Sequence, residues 1–124
     1  MEEMPKDIKW SMDPDTKDYE AGTTYMSLLM PRSVAAATVG KFLDVETTQY
    51  RANDILRAAQ LPLLAQDDPH VAKDLKKIQE DIALAPVLLA RDTMMLRLLI
   101  VDGYHRVCAV YHHDPNAEVH CKII

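Results

Sequence analysis

The chain predicts an α+β fold, with helices in its first half and a small sheet built from its second. Three observations carry this. Residues 86–90 and 96–101 are apolar, branched runs, each as long as one buried strand. Residues 103–113 carry a helical pattern and are followed by a third strand pattern at 118–124. That makes a strand–helix–strand core, right-handed in its crossover if the strands are parallel. Before residue 67 the chain shows helix starts and stops rather than strand alternation.

The elements follow in order. Residues 1–20 are polar and acidic and read as an arm, with Trp10, the only tryptophan, marking where it docks. Residues 21–66 read as a helical extension. Within it, residues 22–30 suit a short helix with Tyr25, Leu28 and Leu29 inward. Pro31 opens the next, being tolerated in a first turn, and Gly40 or Asp44-Val45-Glu46 ends it. A third over 49–60 puts Ile55, Leu56 and Ala59 on one face before Pro62 stops it. The core spans 67–124. It opens on a helix with Asp67 or Asp68 as cap and Pro69 in the first turn, and Val71, Leu75 and Ile78 recur at spacings of four and three.

Bulk properties narrow the class. At 124 residues there is room for one core, so a single domain, 1–124, is expected. A composition 48% hydrophobic and 27% charged is that of an ordinary globular protein. No apolar run nears the ~20 residues of a membrane span, and the first residues lack a basic, then apolar, leader pattern. Cys108 and Cys121 are too few for a disulfide framework, so the cytoplasm is the expected location. The formal net charge of −5 counts against duplex DNA as a partner, because phosphate neutralisation needs a basic face.

The chemistry concentrates at Asp102-Gly103-Tyr104-His105-Arg106, where a strand runs straight into a helix. The first turn of a helix presents free N–H groups and the positive end of the macrodipole. His105 and Arg106 add cationic donors at that spot, Arg with a fork suited to phosphate oxygens. Asp102 either competes for the same amides as an N-cap or orients Arg106. Exposure of Arg106 in a crevice favours ligand binding; an internal salt bridge to Asp102 or Asp114 favours a structural role. His70, Lys73 and Lys77 share one face of the preceding helix and form either a second cationic group or a solvated face.

Asp102-Gly103-Tyr104-His105-Arg106, with Ala109 beyond, resembles the Gly-x-[His/Arg]-Arg-x-x-Ala signature of the ParB/sulfiredoxin superfamily. The resemblance extends over residues 67–124: the helix from Asp67, the Pro86-Val87-Leu88-Leu89 strand and the closing Val119–Ile124 segment all stand in the family's order. It implies a small ParB/sulfiredoxin-like sheet and an anion cradle for nucleotide phosphates. The cradle would comprise Asp102, Gly103, Tyr104, His105 and Arg106, faced by His70, Lys73 and Lys77. Magnesium would accompany a bound nucleotide, and any hydrolysis would be weak. Full ParB proteins continue into a helix-turn-helix segment, which is not found before Ile124, so DNA partitioning by this chain alone is not expected.

Tyr104 stands where sulfiredoxin has its reactive cysteine. A phenol of pKa ~10 does not replace a thiolate, so sulfinic-acid repair is disfavoured. Tyr104 then serves as a stacking platform or a buried anchor. Zinc at Cys108, His112, His120 and Cys121 is also disfavoured, because adjacent strand residues point to opposite faces. The leading function is a nucleotide- or phosphate-binding module. A non-enzymatic interaction domain, with a possible homo-oligomer, is the alternative; a nuclease is a third reading.

Overall fold

The computed structural model describes residues 5–124, and the first four residues of the expected arm lie outside that range. The α+β class holds. Among the described residues, five α-helices and a four-stranded mixed sheet follow the order α1 (Thr16–Met26), α2 (Arg32–Gly40), a 3₁₀ turn (Lys41–Asp44), β1 (Thr48–Arg51), α3 (Ala52–Ala59), α4 (Pro69–Gln79), β2 (Val87–Asp92), β3 (Arg97–Asp102), α5 (Tyr104–His113) and β4 (Glu118–Ile123).

The expected arm is shorter than residues 1–20, because α1 begins at Thr16. The Asp18 carboxylate accepts the Asp15 backbone N–H at 2.9 Å, closing a capping box that the acidic composition concealed. Leu28 and Leu29 face solvent instead of turning inward, since the helix ends at Met26 and they fall in the turn after it. Trp10 does dock: it bridges Leu84 in parallel register and stacks on the His120 ring, centroids 5.0 Å apart.

The helix expected over 49–60 is a strand followed by a helix. Thr48–Arg51 pairs antiparallel with β4, Tyr50 opposite Val119, and only from Ala52 does the chain turn helical. All four β1 residues are exposed, so no apolar alternation betrays the strand; its pairing with a segment some seventy residues away creates it. Leu96, assigned to the second core strand, is exposed at φ 53° in the turn between β2 and β3.

The sheet order is β1-β4-β2-β3. β2 and β3 form an antiparallel hairpin, and β4 lies parallel to β2 on its other side. The strands flanking α5 are therefore not neighbours; β2 separates them. Helices cover both faces. Ile55, Leu56, Val71, Ile78 and Val107–Val110 pack on Val87, Leu89, Ile100 and Val119 from one side. Met26, Ala35, Val39 and Phe42 pack on Leu88, Ala90 and Val101 from the other. Among the described residues no helix is long and apolar enough to cross a membrane.

Candidate functional site

β3 delivers Asp102 and then Gly103, which takes φ 107° and so turns the chain directly into α5. A side chain there is excluded: a Cβ would sit 2.4 Å from Val87 Cγ1. Among the described residues no side chain caps α5, which leaves its first-turn amides available. α4 starts opposite. Asp68 caps it through its own carboxylate, accepting from the N–H groups of His70 and Val71 at 3.0 and 3.1 Å. Those bonds, Val71 first, hold the half-buried Asp68 carboxyl below its ordinary range.

Between α1, α4 and α5 lies a polar cavity of about 350 Å³. His70, Lys73, Lys77, Asp102, Gly103, His105 and Arg106 all line it, so seven of the eight residues singled out in the sequence converge. His70 and His105 stand ring to ring, 4.8 Å apart. Tyr104 is the exception. Its hydroxyl donates to the Pro62 carbonyl and its ring packs on the core, so it is an anchor for the α3–α4 connection.

Arg106 is held from four directions. One terminal nitrogen donates to the carbonyls of Ala85 and Pro86 at 2.7 and 3.2 Å; the other donates to Asp18 at 3.0 Å and Asp102 at 3.1 Å. Its side chain is only 14% exposed. Asp102 therefore orients Arg106 rather than capping α5, and Asp114 takes no part. Burial pushes the Asp102 carboxyl up to about 7, helped by its hydrogen bond with Asp18 and opposed by Arg106. Burial also raises Asp74, against the pull of Arg106 and Lys77.

Asp18 and Asp74 also line the cavity and were missed by sequence reasoning, as were Asp15 and Lys17. Asp74 had a signal, since it lies four residues after His70 on the same helical face. Asp18 had none: its partner is 88 residues away. The cavity thus mixes Lys17, Lys73, Lys77 and two histidines with Asp15, Asp74 and a guanidinium already paired to two carboxylates.

The rival metal ligands are dispersed. His112 Nε2 faces the Leu64 carbonyl at 2.6 Å, His120 stacks on Trp10, and Cys121 Sγ points at the Thr48 carbonyl. Among the described residues no three His, Cys, Asp or Glu side chains are placed to share a metal ion. No protein-family model, curated protein or solved structure matches the chain.

Proposed function

We propose that this chain binds a phosphate-bearing ligand, a nucleotide or a smaller polyphosphate, in the cavity between α1, α4 and α5. One observation carries the reading: the uncapped first turn of α5 opens into a space onto which Lys17, Lys73, Lys77, His70 and His105 converge. Amide donors at a helix start, joined by ammonium groups, suit phosphate oxygens. The resemblance of Gly103-Tyr104-His105-Arg106 to the ParB/sulfiredoxin signature supports the same ligand class. Arg106 has a different part from the one its motif implies. It braces the site by joining α5 to Asp18 on α1, while lysines and amides make the contacts.

The test is a thermal-shift titration with CTP, ATP, GTP and pyrophosphate, with and without magnesium, on the wild type and on a Lys73→Ala, Lys77→Ala double variant. A ligand at 100 times its Kd adds about 2.7 kcal/mol, a shift of several degrees. The double variant should lose that shift while keeping its own unfolding temperature. Absence of any shift at millimolar ligand overturns the proposal.

A second reading has its own observation. Arg106, the best donor fork in the motif, is fully engaged inside the protein, as a structural role requires. In that case the chain is an interaction module, and Leu28, Leu29, Val34 and Leu43, exposed on α2 and the turns that flank it, are its contact residues. Concentration-dependent sedimentation, unaffected by nucleotides, would identify it.

A further inference from the structure

The face of the sheet that carries α3, α4 and α5 is longer than the helices laid on it. α3 has eight residues and so covers about 12 Å, whereas six-residue strands reach about 20 Å. Beyond α3 the uncovered end of the face forms a second cavity, of about 600 Å³. Its floor is Ile55, Leu89, Leu98 and Ile123, with Tyr50 at one side and Leu96 at the lip. It shares no lining residue with the polar cavity beside α5. The adjoining turn leaves Met94 and Met95 exposed at 91% and 66%, and such unbranched thioethers adapt to the shape of what they cover.

The charged groups around this cavity are paired, with one exception. Asp54 is shared between Arg51 and Arg57, and Asp92 holds Arg97 at 3.5 Å. Arg91, which follows Leu89 on the same face of β2, lines the cavity and has no ion-pair or side-chain hydrogen-bond partner among the described residues. Two arginines, Arg91 and Arg97, and two aspartates, Asp54 and Asp92, thus line the cavity, and only the Arg91 guanidinium is left without a carboxylate among the described residues. An apolar volume of the size that small ligands occupy, roughly 300–1,000 Å³, with one unengaged guanidinium, defines a ligand by its chemistry.

We infer that the cavity between α3 and the β2–β3 hairpin binds a small apolar carboxylate, its hydrocarbon part on Leu89, Leu98 and Ile123 and its carboxylate on Arg91. This site is independent of phosphate binding beside α5. Octanoate and 1-octanol, matched in chain length, are the probes, titrated calorimetrically into the full chain and into two variants whose folding is checked by circular dichroism. Wild type should bind octanoate at least about tenfold more tightly than octanol, the scale of one charge-assisted hydrogen bond. Arg91→Gln should abolish that preference and leave octanol binding unchanged. Ala58→Trp, at an exposed position on the cavity wall, should fill the space and block both. The inference is overturned if octanoate does not bind wild type at about 10 mM, if Arg91→Gln keeps the preference, or if folded Ala58→Trp binds as wild type does. Failure of octanoate with retained capture of an acidic protein segment would assign the groove to a macromolecule and equally overturn it.

Discussion

Replacing Arg106 by Met keeps most of the side-chain volume and removes the charge. Two carboxylates, whose side chains are 6% and 17% exposed, then face each other with no cation between them, and the Ala85 and Pro86 carbonyls lose their donor. Removing one partner of a buried ion pair costs about 3–5 kcal/mol. For a chain of this length each kcal/mol lowers the unfolding temperature by roughly 3–5 °C, so a fall of about 10–20 °C is expected. Thermal unfolding followed by circular dichroism at about pH 8, above the Asp102 carboxyl's value of about 7, measures it. The decisive control adds Asp18→Asn and Asp102→Asn to Arg106→Met. With the stranded charges gone, at least half of the lost stability should return, because these sites are coupled rather than additive. A fall under about 5 °C for Arg106→Met, or no recovery in the triple variant, would refute the picture of Arg106 as the brace between α1 and α5.

Three further outcomes follow from the same geometry. The Asp102 carboxyl stands at about 7 in the folded protein against an ordinary 3.8. Between those values the folded state keeps a proton that the unfolded state has released, so stability should fall as pH rises through that range. Unfolding temperatures at about pH 5.5 should exceed those at about pH 8, and Asp102→Asn should flatten the profile. Gly103→Ala combines φ 107° with a Cβ 2.4 Å from Val87 Cγ1, so urea unfolding should show a loss of about 2–4 kcal/mol. Cys108 and Cys121 are fully buried; burial raises the first thiol and pushes the second up to about 11. Neither should react with a thiol reagent in the native state at neutral pH, and both should react in denaturant; rapid native labelling would contradict the packing.

The elements most legible in the sequence were those that carry their own signals. Asp68-Pro69 with Val71, Leu75 and Ile78 announces α4, and Asp102-Gly103 announces the junction into α5. β1 was invisible because its four residues are exposed and the strand exists only through pairing with β4. The start of α1 was hidden in an acidic stretch whose Asp15 and Asp18 bond to each other, a local pattern easily read as solvated charge. At the site, spacing alone puts His70, Lys73 and Lys77 together on one face of α4, the face that lines the polar cavity. What spacing does not carry is the occupancy of Arg106, since its guanidinium is claimed by a residue on α1 and by two carbonyls of the loop before β2.

The strand order β1-β4-β2-β3 also dictates when the sheet can close. The β2–β3 hairpin needs only neighbouring residues and is free to form early. β1 emerges before it, yet among the strands its ladder partner is β4, the last of the four to leave the ribosome. Until Glu118–Ile123 is available, α3 is attached to a strand with nothing to pair against. β4 is thus the keystone. Loss of those six residues would cost more than one strand, because the halves on either side of it would have no ladder joining them.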